Sequence, residues 1–211
     1  MAKRPDTDWR IITLALQLAA EEGWRRLSMD AIAEAAKIKP DALRARFASK
    51  RAILDGFAAG IDAQVLANSA GDGDTIRERL FDLIMCRFDA LGPHKEALRA
   101  MLPDAPSKLA VADPGLAVHA LCASRRAMKS ALEAAGVGTS GLLGRAKIKA
   151  LMVVYLGALR IWLGDETGAM DKVMAQLDKS LARLEGLAES FLARRGSGNS
   201  EAAPAEAAPA D

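Results

Sequence analysis

Apolar side chains recur every three or four positions along most of the chain, and no stretch of useful length alternates apolar with polar. That spacing is the period of a helix with one buried face. The first such pattern predicts a helix from about Asp8 to Glu22, with Trp9, Ile12, Leu16 and Ala19 inward and Gly23 ending it. Ser28 caps a second, from Met29 to about Ala36, with Ile32 inward. Lys37, Ile38 and Lys39 form a turn, and Pro40 suits the first turn of a short third helix ending near Phe47. Ser49 caps a fourth that carries Ile53, Leu54, Phe57 and Ile61.

Beyond a loop at Asn68–Asp74, a helix over Thr75–Leu91 has Ile76, Leu80, Leu83 or Ile84, and Phe88 as its stripe. Gly92, Pro93 and His94 break it, a further helix reaches Leu102, and Pro103 and Pro106 mark a loop. Asp113 and Pro114 open a helix to about Ala135, and a glycine-rich loop spans Gly136–Gly141. Two long helices follow, over Leu142–Leu163 and Ala169–Arg194. In the last, Met170, Met174, Leu177, Leu181, Leu184, Ala188 and Phe191 alternate by four and three, the spacing of a helix-pair seam. The expected class is all-α, with about nine helices. The low-complexity segment 195–211 is expected to be a disordered tail.

With 51% apolar residues, the 211-residue chain can bury a sizeable core. Its longest apolar run, Ala150–Leu163, is interrupted by Gly157 and Arg160 and is too short to span a bilayer. The polar first ten residues are followed by no secretory apolar region, so the expected location is cytoplasmic. Cys86 and Cys122 have no neighbours at metal-ligand spacing and read as buried, reduced thiols. His94 and His119 stand apart from each other and from cysteine. A capping or surface role suffices for His94. No nucleophile–base set, phosphate loop or carboxylate pair emerges, so neither an enzyme nor a cofactor or metal is expected.

Charge is unevenly spread. Residues 1–51 hold 11 Lys/Arg and 7 Asp/Glu, a net +4, and the remainder holds 18 and 20, a net −2. A basic N-terminal module fits anion binding. The segment Ala36–Lys50 has helix–turn–helix spacing: Ile32, Ile38 and Leu43 make the inner contacts, and Ala33, Ala35 and Ala36 allow close helix approach. Candidate DNA-binding residues are Ser28, Lys37, Lys39, Asp41, Ala42, Arg44, Arg46 and Lys50. The bland reading of these charges is a solvated basic face. For Arg125, Arg126 and Lys129 solvation is the reading preferred.

The stretch Ile11–Leu54 resembles the DNA-binding domain of the TetR/AcrR family of bacterial transcriptional repressors. The landmarks are Gly23–Trp24, Ser28, Ile32–Ala33, Ala36, Ile38, Leu43, Phe47, Ser49 and Lys50. The resemblance implies a helix–turn–helix domain over 1–50 and a ligand-binding and dimerisation domain over 51–194. It also implies a double-stranded DNA operator, a small apolar effector that releases DNA, and a homodimer. The chain departs from the family pattern in carrying Lys37 and Asp41 where Gly is usual, and Arg44 and Arg46 where Tyr is frequent. The arginines keep hydrogen-bond donors and add charge. A carboxylate at Asp41 repels phosphate but can accept from cytosine N4.

On this reading Met85, Phe88, Met101, Met128, Met152 and Tyr155 line an apolar ligand pocket, and Met174, Leu177, Leu181 and Leu184 form the dimerisation seam. The alternative for each is ordinary core. Segments Ala90–Leu102 and Ala146–Ala188 are also similar to the lipid-binding accessory proteins of ubiquinone biosynthesis, which implies a second reading: a lipid or isoprenoid carrier of the same fold without DNA binding.

Overall fold

The computed structural model describes residues 5–69, 73–102, 109, 111, 113–166 and 168–199. The expected prolines of the 103–106 loop, the centre of the 68–74 loop and residues 200–211 of the expected tail lie outside them, as does the side chain of Phe191. Among the described residues every regular element is a helix: α1 (Pro5–Glu22), α2 (Met29–Ala35), α3 (Pro40–Arg46), α4 (Lys50–Asn68), α5 (Ile76–Leu91), α6 (Lys95–Met101), α7 (Pro114–Ala134), α8 (Gly141–Gly164) and α9 (Asp171–Asn199). Gly92–His94 is a 3₁₀ turn between α5 and α6. The last helix outruns its expected end at Arg194 and takes in the start of the expected tail.

The helix starts follow from side chains that satisfy otherwise orphaned amides. Thr75 and Glu78 form a reciprocal capping box at α5, with bonds of 3.1 and 3.0 Å. Asp113 accepts from the amide of Leu116 at 2.9 Å, and Pro114 fills the first turn of α7.

One apolar cluster runs from Ile11 in α1 to Leu181 in α9, with no break at residue 50. The reason is α4, a single helix that serves both parts. Near Gly56 its backbone approaches Ile12 and Phe47, and at Gly60 it lies under Trp9. Further on, Val65 and Leu66 face Leu83 and Ile84 of α5 and Met128 and Ala131 of α7. Helix α9 packs on α8 and α5, and α6 packs on α1.

Two expectations fail here. The cysteines are not both buried: Cys86 is half-buried and Cys122 is exposed, because α7 turns Leu116, Met128 and Leu132 inward instead. His94 does stand at the N-cap of α6, but its side chain makes no capping bond and is not at the surface: it is only 8% exposed, edge-on to both Trp9 and Phe57 with ring centroids 5.7 and 5.0 Å away.

Candidate nucleic-acid interface

The hairpin forms by closing α2 against α3 over Ile32, Ala33, Ala36 and Leu43, all buried, with Ile38 partly so. Ser28 caps α2 by accepting from the amide of Ala31 at 3.0 Å, which leaves its hydroxyl hydrogen free to donate. At the other end Ile38 N–H reaches the carbonyl of Ala33 and Lys37 N–H that of Glu34, both at 3.0 Å. This is the paired-bond helix stop that needs a left-handed residue, normally glycine. Lys37 fills it with φ +55°, the one positive-φ residue other than glycine among those described. The turn thus keeps the geometry a glycine would give and projects a lysine from it.

The exposed face holds Lys37, Lys39, Asp41, Ala42, Arg44 and Ala45. Arg44 bonds Asp30 at 2.6 Å and lies 3.8 Å from Asp41, so α3 and the first turn of α2 present their side chains together, with Ser28 beside them. These carboxylates are exposed and bond the arginine in water, where such pairs are weak and exchange readily.

Two expected contact residues have partners within the chain. Arg46 turns back to Asp8 of α1 at 2.5 Å. Lys50 donates to the carbonyl of Trp24 at 2.7 Å and sits 5.1 Å from that indole's centroid. Burial pushes its pKa below the ordinary lysine value, with Asp113 opposing. Sequence reasoning also passed over Arg10, which shares with Lys37, Thr13 and Gln17 an open groove of about 570 Å³ between α1 and the hairpin turn.

Residues 11–56 match the family model described as "Bacterial regulatory proteins, tetR family". Residues 11–56 are thus similar to the domain that marks this family, and the chain shares the fold of solved TetR regulators. The TetR transcriptional regulator from Nitrosomonas europaea is a solved structure 25% identical, with a TM-score of 0.63, over 85% of this chain and 96% of that one. A TetR transcriptional regulator from Rhodococcus sp. RHA1 is 16% identical with a TM-score of 0.59, over 84% and 94%. No curated protein matches the sequence. No helix among the described residues is long and apolar enough to cross a membrane.

In the larger part of this TetR fold, Phe88, Met101, Met128 and Tyr155 are buried and Met85 and Met152 half-buried. Phe88 packs on Tyr155 and Trp162 at centroid distances of 5.9 and 5.6 Å. The void beside Met128 is about 10 Å³, the room of a single water. At its edge lies a feature sequence reading missed. Arg87 is 7% exposed, pairs with Asp62 of α4 and bonds Tyr155 Oη at 3.3 Å. Burial opposes its charge, but Tyr155 and Asp62 outweigh that and hold the guanidinium above its ordinary pKa. Arg87 falls on the inward stripe of α5, where periodicity assigns apolar residues, so a cation at that register was the available signal.

The stripe on α9 is spent within the chain. Leu177 and Leu181 are buried within the chain, while Met174 and Leu184 are half-buried against the same core. Heptad spacing marks a helix-packing face without saying whether the partner helix is in the same chain. Among the described side chains, the large exposed apolar groups of α8 and α9 are Leu142, Leu143, Val153, which is 71% exposed, and Leu187. The Cβ position of Gly157, a turn beyond Val153, meets nothing within 4 Å.

Proposed function

We propose that the chain is a homodimeric, DNA-binding transcriptional repressor whose operator affinity falls when its larger domain takes up an effector. The observation that carries the reading is the hairpin, which joins a capped α2, a left-handed Lys37 and an exposed face bearing Lys39 and Arg44. In contact with DNA, Ser28, Lys37, Lys39 and Arg44 take phosphates or base edges, and Asp41 and Ala42 face the bases. Arg46 and Lys50 act one step back: they tie α3 to α1 and α4 to Trp24.

Two hairpins in a dimer would meet successive major-groove faces, roughly 34–36 Å apart. The dimer surface is the outward side of α8 and α9, with Val153 and Leu187 as apolar contacts and Gly157 allowing a close helix approach. A glycine in a helix interior costs about 1 kcal/mol relative to alanine, and a helix seated against it gives that cost a use.

Fluorescence anisotropy with the chain's own upstream DNA, against scrambled DNA over a salt series, tests the reading. Selective binding that weakens steeply with salt supports it. Equally weak binding to both DNAs removes it and leaves the lipid-carrier reading, which co-purifying isoprenoid or phospholipid would then support.

A further inference from the structure

Among the described residues Arg87 is the one buried cation, and its environment is divided between two functions. It lies on α5, while its carboxylate partner Asp62 lies on α4, the helix that also touches α1 and the end of the hairpin. The two members are unequally placed. The Arg87 side chain is 9% exposed and that of Asp62 is 26% exposed. The arginine is therefore fixed in the interior, and its counter-charge comes from the solvent side.

A buried guanidinium cannot be left without an anion, since an uncompensated interior charge is strongly unfavourable. Whatever displaces Asp62 must bring a negative group of its own. Beside the pair lies the small void, whose wall combines Ser130 with apolar Ile84, Met128 and Leu66. Leu66 is half exposed at its rim and Met128 is a flexible side chain able to repack. Tyr155 Oη accepts from Arg87 Nε at 3.3 Å, so the guanidinium has a hydroxyl neighbour as well as its carboxylate.

We infer that this is an exchange site for an amphipathic carboxylate. The ligand's carboxylate replaces that of Asp62 on the Arg87 fork, with Tyr155 and Ser130 as hydroxyl partners, and its apolar body takes the space opened by movement of Met128 and Leu66. A carboxylate suits the site because Nη1 of the guanidinium already holds one, that of Asp62. The exchange removes the ion pair that links α5 to α4 beside their apolar contacts. Ligand occupancy then alters the helix that supports the hairpin. This assignment rests on the reading of the larger domain as an effector domain and narrows its effector from apolar to apolar with a carboxylate.

The test is titration calorimetry of the full chain with straight-chain carboxylates of six to twelve carbons, each against the alcohol of equal length. At the best length the wild-type chain should bind the acid at least about tenfold more tightly than the alcohol, the factor expected for one charge-assisted bond pair. Asp62→Asn removes the internal competitor, so it should bind the acid more tightly still and have its lowered melting temperature restored by it. Arg87→Met should lose the preference. Equal binding of acid and alcohol by the wild type, or a preference that survives Arg87→Met, overturns the inference. The wild-type comparison stands even where a variant fails to fold. A DNA titration run beside it separates the two readings: an Arg87-dependent acid preference without operator binding upholds the anion site and sinks the repressor, and the converse sinks only the anion site.

Discussion

A Cβ placed on Gly60 would lie 2.3 Å from Cζ3 of Trp9. The indole therefore rests directly on the backbone of α4, stacked on Phe57 at 5.9 Å, with His94 edge-on to both rings. These rings join α1, α4 and the 3₁₀ turn, and so connect the hairpin's supporting helix to the larger domain. Gly60→Ala forces the indole aside. Overpacking of this kind costs about 1–3 kcal/mol, offset by up to about 1 kcal/mol of helix propensity. Urea unfolding should show a net loss; a gain would mean that the indole has room to move.

The buried His94 makes stability depend on pH. Burial pushes its imidazole below the ordinary value, and His119, beside Asp55, Arg51 and Arg126, is shifted the same way by its own burial. Above about pH 6.5 both groups are neutral folded and unfolded, and they contribute no slope. Below it the unfolded chain takes up protons that the folded chain resists, so stability falls on acidification. His94→Phe should flatten, without abolishing, the decline in urea midpoint between pH 6.5 and 5. An unchanged decline would assign the whole effect to other groups.

Lys37 combines a strained backbone with a charge, and two substitutions separate them. Lys37→Gly relieves a left-handed conformation that costs about 1–2 kcal/mol in a residue with a Cβ, while the greater freedom of unfolded glycine returns about 0.5–1 kcal/mol of that gain. A small stabilisation is expected. Lys37→Ala keeps the strain and should leave stability nearly unchanged. Both should lower the log–log salt slope of DNA binding by about one unit if the ammonium meets a phosphate.

Arg44 and Arg46 are two residues apart and should behave differently. Arg44 is exposed, and Arg44→Ala should reduce the salt slope by about one unit. Arg46 is held by Asp8, so Arg46→Ala should leave the slope unchanged. Its pairing with Asp8 should instead appear as a coupling energy of about 1 kcal/mol in a double-mutant cycle of stability. Equal slopes for both variants would place Arg46 on the DNA.

Much of the fold was legible because helix ends are written locally. Ser28, Ser49 and Asp113 each cap the helix their position predicts, and Thr75, expected as the first helical residue, caps α5. Lys37, read as a departure from glycine, takes the backbone conformation that glycine favours. What pattern could not supply was the destination of long side chains. Arg46 and Lys50 stand at positions that serve DNA equally well, and only the placement of Asp8 and Trp24 turns them inward. The α9 stripe is ambiguous for the same reason: Leu177 and Leu181 are buried within the chain, and their spacing does not specify which helix covers them. Arg87 escaped notice because its partner Asp62 is distant in sequence and the pair exists only after α4 and α5 have packed.

The most direct test of the central claim is the salt-dependent anisotropy of the full chain on its own upstream DNA, with the double variant Lys39→Ala/Arg44→Ala beside the wild type. The account predicts selective binding by the wild type and a double variant whose salt slope is smaller by about two units. A wild-type chain that binds upstream and scrambled DNA equally weakly, with a slope the double variant does not change, would contradict it.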